Sequence, residues 1–318
     1  MNNKGLVLIG GGSGLIGTRL TSILLDKGYQ VRHLGRQAKD GPVKTFAWDI
    51  RRKTIDGKAF EDADVVINLA GANINGHRWT KSYKQELLTS RTESTRLIVD
   101  FLNSKSNRVK QFIAGSAIGF YGFGDNSRWF KENDTPGKDF MAQITVEWEK
   151  VADQVKSNQI KIAHIRTGIV MSRQGGALQE MSRPIKLFIG APLGSGQQFV
   201  SWIHLEDLCG IFIHIIENNL SGIFNAVAPQ PATNEEITKA IAKQLHKPLL
   251  LPNIPPFVLK IILGEMSDAV VNGSKVSSEK IQVTGFKFQY PTIDAALNNL
   301  EPRTSNLEPS TPSTTLGR

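Results

Sequence analysis

The chain has 318 residues, 40% of them hydrophobic and 21% charged, with a formal net charge of +9 and one cysteine. That length and balance exclude a disordered or fibrous chain and provide for a large buried core. A lone Cys209 excludes an internal disulfide framework and fits a reducing, cytoplasmic setting. No leader peptide is read at the N-terminus, and no apolar run reaches the roughly 20 residues that a bilayer span needs. The basic residues are scattered, and their densest cluster is only Arg51-Arg52-Lys53. They read as a solvated surface with a positive bias, so neither a nucleic-acid nor a membrane partner is expected.

The first element carries the strongest signal. Leu6-Val7-Leu8-Ile9 has the apolar character of a strand. It breaks into Gly10-Gly11-Gly12-Ser13-Gly14-Leu15-Ile16-Gly17 and continues as a helix. Gly11, Gly14 and Gly17 have Gly-x-x-Gly-x-x-Gly spacing. The first allows a tight turn, the second lets a pyrophosphate approach the backbone, and the third lets helix and strand pack closely. The helix N-terminus then offers free N–H groups to an anion.

Leu15 to Lys27 reads as that helix, with Gly28 as its C-terminal cap. Tyr29 to Leu34 reads as the second strand, which completes a βαβ unit. An NAD-selecting site usually has an acid at the end of this strand, for the ribose hydroxyls. Here the residues are Leu34-Gly35-Arg36-Gln37. The planar fork of Arg36 can pair with a 2′-phosphate, so the expected cofactor is NADP(H). The plainer alternative is an arginine that only ends a surface strand.

Val43 to Trp48 follows as a third strand. Asp49 after it reads equally as a contact to an adenine amino group or as a turn residue. Asp64 to Gly71 is a fourth strand ending in the small Ala70 and Gly71. Lys81 to Leu102 is a long helix, in which Glu86 and Arg91 by themselves suggest solvated charge or an internal ion pair. Val109 to Gly115 is a fifth strand, and Ser116 and Tyr121 follow it near the mouth of the crevice. The loop from Gly122 to Lys138 has the length of a lid. Phe140 to Lys156 reads as helix, Ile160 to Arg166 as a sixth strand, and Thr167 to Val170 falls at its crevice end. This alternation predicts an α/β fold, a Rossmann-type doubly wound parallel sheet.

Beyond Val170 glycines and prolines break the pattern. Leu205 to Ile216, Asn234 to Gln244, Pro252 to Leu263 and Thr292 to Leu300 read as helices, and Gly222 to Ala226 as a strand. Thr233 suits a helix cap. His204 in its apolar setting reads as a structural residue before a general base. The expected partition is a dinucleotide domain over 1–170, with 205–227 returning to it. A smaller, mostly helical substrate lobe takes 171–204 and 228–300, and 301–318 forms a disordered tail rich in Ser, Thr and Pro.

These residues match a known pattern. Gly11 to Gly17, Asn68-Leu69-Ala70-Gly71, Arg78-Trp79-Thr80, Ser90-Arg91, Ser116-Ala117 with Tyr121-Gly122, and Glu147-Trp148-Glu149 belong to it. So do Arg166-Thr167-Gly168, Pro192 to Gly196, Ser201 to His204 and Gly285-Phe286. Over residues 4 to about 300 the chain resembles the epimerase-family proteins of the atypical extended short-chain dehydrogenase/reductase class, family 39U. The segment from about 249 is similar to that family's small C-terminal domain of unknown function.

The resemblance implies NADP(H) binding, with contacts at Gly35, Arg36, Leu69, Ala70, Glu86, Arg91 and Val170 beside the glycine turn. It moves Glu86 and Arg91 to the cofactor side. The usual catalytic pair of the class, Tyr-x-x-x-Lys, aligns with Met141 and Thr145, and neither can transfer the proton. Ser116 and Tyr121 are the substitute candidates. The expectation is an NADP(H)-binding oxidoreductase or epimerase-like protein with a small-molecule substrate. The alternative is a catalytically silent NADP(H)-binding sensor or scaffold. Neither substrate nor oligomeric state is legible.

Overall fold

A computed structural model describes residues 4–123 and 127–300. The expected disordered tail at 301–318 lies outside the described residues. Its first strand, β1 (Leu6–Gly10), is buried along its whole length. Val7 and Ile9 point to one face of the sheet, Leu6 and Leu8 to the other, as the two-residue period of a strand requires. Both faces are therefore covered, and the unbroken apolar run is explained.

The chain continues through α1 (Leu15–Asp26), β2 (Gln30–Gly35), β3 (Lys44–Asp49), the short β4 (Thr54–Ile55) and β5 (Ala63–Asn68). Then come α2 (Lys81–Ser104), β6 (Gln111–Ala117), β7 (Trp129–Phe130), α3 (Phe140–Ala152), β8 (Lys161–Thr167) and β9 (Ile169–Met171). Next are α4 (Ala177–Lys186), β10 (Phe199–Val200), β11 (Trp202–His204), α5 (Leu205–Glu217) and β12 (Gly222–Ala226).

The main sheet has eight strands in the order β12-β8-β6-β5-β1-β2-β3-β4. All pairs are parallel except β3 with β4. The α/β, doubly wound expectation is met. Helices α1 and α5 cover the Val7 and Ile9 face, while α2 covers the Leu6 and Leu8 face through Leu97, Ile98 and Leu102. The strand order reverses at β1, whose neighbours are β2 and β5. Such reversals open the crevice in which α/β folds bind ligands.

Local chemistry sets the element ends. Gly28 at φ 88° donates to Leu25 O, and Tyr29 N to Leu24 O, so α1 ends in a Schellman motif. β5 stops at Asn68, earlier than the sequence suggested. Leu69 N still reaches Gly10 O, but Ala70 N turns to the Asn68 side chain. The antiparallel edge strand β4 was not expected; two residues are too short for periodicity to register.

The remaining elements are β13 (Ala232–Thr233), α6 (Asn234–Gln244), α7 (Pro256–Leu263), α8 (Ser267–Val271), β14 (Lys275–Val276), α9 (Glu279–Val283) and α10 (Ile293–Asn299). Thr233 caps α6 in a capping box with Glu236. α7 starts at Pro256, not Pro252, with Pro at the first helical position, where its missing N–H costs nothing. A separate core gathers α4, α6 and α10 through Leu178, Ile185, Ile237, Ile241, Ala296 and Leu297. This is the smaller, mostly helical part of the fold. Asp207, in the first turn of α5, accepts from Gln289 N and Tyr290 N and fastens the C-terminal segment to the sheet region. No helix among the described residues is long and apolar enough to cross a membrane.

Candidate functional site

The turn after β1 is shaped by what its glycines lack. Gly11 has φ 79°, and a Cβ there would lie 2.9 Å from Ala70 N. A Cβ on Gly17 would lie 2.5 Å from Gly11 O and 2.6 Å from Gly12 Cα, so helix and turn could not meet. On Gly12 it would strike the His33 ring at 2.3 Å. Gly14 differs: its Cβ would meet only Gly11 O, at 3.4 Å. Packing within the chain does not require a glycine there. The free space lies where a ligand's oxygens would approach the start of α1.

Gly14 is also the N-cap of α1 and provides no side-chain acceptor, and the first turn carries no acid. The N–H groups of Leu15, Ile16 and Gly17 thus stand at the positive end of the helix without a capping carboxylate. Ser13 and Gly14 are exposed, Leu15 and Ile16 half-buried. These are the attributes of a phosphate cradle.

Arg36 follows Gly35 at the end of β2. It is exposed and has no ion-pair or hydrogen-bond partner among the described residues. Asp49, at the end of the neighbouring β3, accepts from the backbone N–H groups of Arg51 and Arg52. That is the turn role of its two alternatives.

On the other side of β1, Leu69 and Ala70 leave β5 beneath the glycine turn. The wholly buried Asn68 fixes them. Its amide donates to Thr95 Oγ1 at 2.9 Å and to Ser94 Oγ at 3.3 Å, and its Oδ1 accepts from Ala70 N. Arg91 forms no ion pair with Glu86. Its guanidinium donates to Leu87 O at 2.9 Å and Ala72 O at 3.0 Å and lies over the Trp148 ring. Burial pushes its pKa down to about 10. Glu86 is exposed on the same helix. Val170 in β9 comes beside the turn as well: a Cβ on Gly176 would lie 3.4 Å from Leu15 Cδ2 and 3.7 Å from Val170 O.

Ser116 and Tyr121 are brought together, but inside a buried polar cluster. The Ser116 hydroxyl donates to Glu149 Oε1. Arg166 in β8 grips both Glu149 oxygens at 2.9 Å through Nε and Nη2, and its Nη1 donates to the Tyr121 hydroxyl at 3.0 Å and Glu132 O at 3.1 Å. Tyr121 in turn donates to Asn225 Oδ1 at 2.7 Å. The guanidinium lies 3.3 Å from the Phe120 ring centroid. Burial pushes the Tyr121 pKa up to about 12, against the opposing pull of Arg166. Sequence reasoning did not find Arg166 and Glu149 as a centre. The available signal was a charged residue at an inward-facing position of each element, Glu149 on α3 and Arg166 in β8. Met141 and Thr145 on α3 are buried, and the Thr145 hydroxyl donates to Met141 O.

His204 is the N-cap of α5, its Nδ1 accepting from Glu206 N at 3.1 Å. Nε2 is buried without a hydrogen-bond partner among the described residues, and the ring packs on Tyr290 at a tilt of 36° with centroids 4.0 Å apart. Burial pushes its pKa down to about 4. The structural reading of this histidine holds. Cys209 is wholly buried, as expected of a packing residue, and burial pushes its thiol up to about 12. The loop from Gly122 to Lys138 is fastened where it is described. Gly137 N donates to Phe120 O, and β7 pairs with β14.

Residues 7–226 match the model of the NAD dependent epimerase/dehydratase family, and residues 254–300 match a domain of unknown function, DUF1731. The epimerase family protein SDR39U1 of Mus musculus is 32% identical over 300 residues, covering 92% of this chain and 99% of its own length. The epimerase family protein SAR0825 of Staphylococcus aureus is 35% identical over 295 residues, with 92% and 98% covered. Among solved structures, human epimerase family protein SDR39U1 (isoform 2) with NADPH superposes with a TM-score of 0.84. It is 30% identical, with 93% of this chain and 98% of that chain covered.

Proposed function

The chain belongs to the NAD dependent epimerase/dehydratase family, and from that premise we propose an NADP(H)-dependent oxidoreductase or epimerase-like protein acting on a small metabolite or nucleotide-linked sugar. The observation that carries this reading is the unfilled space at Gly14, at the head of an uncapped helix, with Arg36 unpartnered where an NAD-selecting acid would stand. The NADPH in the human relative's structure supports the same choice.

In this reading Gly11, Gly12, Ser13 and Gly14, with the N–H groups of Leu15, Ile16 and Gly17, hold the pyrophosphate. Gly35 and Arg36 take the 2′-phosphate. Leu69, Ala70, Glu86, Arg91 and Val170 line the rest of the dinucleotide. When bound, the nicotinamide supplies hydride transfer, and the chain supplies orientation. Residues 1–170 with 205–227 serve as the dinucleotide domain, and 171–204 with 228–300 as the substrate lobe.

Arg36→Ala tests the cofactor choice. A charge-assisted bidentate pair contributes about 1.5–3 kcal/mol, so NADPH affinity should fall roughly 10- to 100-fold while NADH affinity holds. Equal losses for both would refute the 2′-phosphate role.

A second reading is a catalytically silent NADP(H)-binding sensor. It is favoured by Met141 and Thr145 at the class's catalytic positions and by the engagement of the Tyr121 hydroxyl as donor to Asn225. In the enzyme reading Ser116 and Tyr121 are the proton-transfer pair, and Tyr121 must exchange Asn225 for substrate. NADPH oxidation across a panel of carbonyl compounds and sugar nucleotides separates the two. Turnover that Tyr121→Phe abolishes supports the pair, and turnover it leaves unchanged removes Tyr121. Tight NADPH binding with no turnover anywhere supports the sensor.

A further inference from the structure

The smaller part of the fold presents an apolar surface that nothing among the described residues covers. After α4 the chain runs Leu187-Phe188-Ile189, and all three side chains are exposed, at 62%, 45% and 56%. Phe188 is held at φ 62°, a conformation that costs a bulky residue energy. Backbone bonds to the helix end keep it there: Phe188 N donates to Ile185 O and Ile189 N to Pro184 O. Leu250 and Leu251 follow α6 and are exposed as well. The two segments adjoin. Lys247 Nζ lies 4.2 Å from the Phe188 ring centroid, and farther along Leu193 bridges Ile254 in parallel.

The two segments that carry these residues contribute cations and no acids of their own. Residues 181–205 and 237–264 contain no Asp or Glu. They do contain Arg183, Lys186, Lys243 and Lys247, with Arg183, Lys186 and Lys243 exposed and Lys247 over Phe188. The Lys247 ammonium thus sits over an exposed aromatic ring, a cation–π contact that keeps positive charge beside the apolar side chains. A second copy of this chain is the poorer occupant. A two-fold contact would set these cations against themselves, with no acid from either segment between them.

We propose that this surface docks on an anionic membrane surface, with the five apolar side chains entering the interface and the cations meeting lipid headgroups. The proposal departs from the sequence reading, which expects no membrane partner. Sequence showed scattered cations, and only the fold gathers them around exposed apolar residues. The patch stands apart from the dinucleotide crevice. α4 begins beside Leu15, where Gly176 approaches it, and its 10 residues carry the chain about 15 Å away. Docking and cofactor binding can therefore coexist.

The test is co-sedimentation of the full chain with vesicles of phosphatidylcholine alone or mixed with phosphatidylserine. Binding is expected only to the anionic vesicles and should be lost at high salt. Leu187→Ser/Ile189→Ser/Leu250→Ser should weaken partitioning at least about tenfold. Lys186→Gln/Lys247→Gln should weaken it roughly fivefold per lysine. Thermal unfolding and NADPH affinity should stay unchanged in both variants. No binding to anionic vesicles, or equal binding by the serine variant, overturns the proposal. So does a serine variant that turns a wild-type oligomer into a monomer on gel filtration, because the patch would then be a contact between copies.

Discussion

Removing one side of the Arg166–Glu149 pair should destabilise the protein more than removing both. The Arg166 and Glu149 side chains are 1% and 9% exposed, and two N–H groups of the guanidinium bond the two carboxylate oxygens at 2.9 Å. In Glu149→Leu the guanidinium keeps Tyr121 and Glu132 O but loses its counter-charge, and Ser116 loses its acceptor. A buried charge left without its partner costs about 3–5 kcal/mol. With about 2.1 cal/mol/K of unfolding entropy per residue, a chain of this size should lose roughly 5–8 °C in Tm. Arg166→Met strands the carboxylate and should cost a similar amount. The double variant Glu149→Leu/Arg166→Met buries no charge. It leaves the Tyr121 and Glu132 partners short of a donor and Ser116 short of an acceptor, for about 1–3 kcal/mol. Urea unfolding of the four proteins completes the double-mutant cycle. A coupling of several kcal/mol is expected, with the double more stable than either single. Additivity within about 0.5 kcal/mol would refute the claim that the two groups act as a buried pair.

The glycines of the turn should separate by role. Gly14→Ala should leave the unliganded protein as stable as wild type and weaken NADPH at least about tenfold, because the methyl occupies only ligand space. Gly17→Ala should lower stability as well, since its Cβ would sit 2.5 Å from Gly11 O; calorimetric unfolding with and without NADPH shows both, and equal stability losses would refute the distinction. His204 should make the protein acid-sensitive. Its folded pKa of about 4 lies below the unfolded value of about 6.5, so the unfolded chain binds the extra proton between those limits. The stability it contributes is complete above about pH 6.5 and is lost as pH falls towards 4, by roughly 3 kcal/mol at most. His204→Asn keeps an N-cap acceptor for Glu206 N and removes the titration, so its stability should vary less across that window. An unchanged pH profile would refute the assignment.

The two halves of the site were unequally legible because they are built differently. The phosphate-holding part of the proposed cofactor half is made mostly of backbone and missing side chains within one βαβ unit. Strand, glycines and helix start stand in one run from Leu6 to Gly17, and Arg36 follows at the end of the next strand. Local rules suffice to read such a site. The proposed catalytic half depends on side chains that only the topology unites. Ser116, Tyr121, Glu149, Arg166 and Asn225 come from β6, the turn after it, α3, β8 and β12. In sequence Ser116 and Tyr121 read as free groups at a crevice mouth, because the ion pair that engages them is formed by residues 149 and 166. The same reasoning explains Arg91, whose partners are backbone carbonyls that no residue identity announces. It explains Leu187 to Ile189 as well. The exposure of that apolar triplet is decided by where α4 ends. What the chain holds is thus encoded locally, and what it does with it is encoded in contacts between distant residues. Substitutions in the buried cluster, read out as turnover, therefore bear on function more directly than further inspection of the glycine turn.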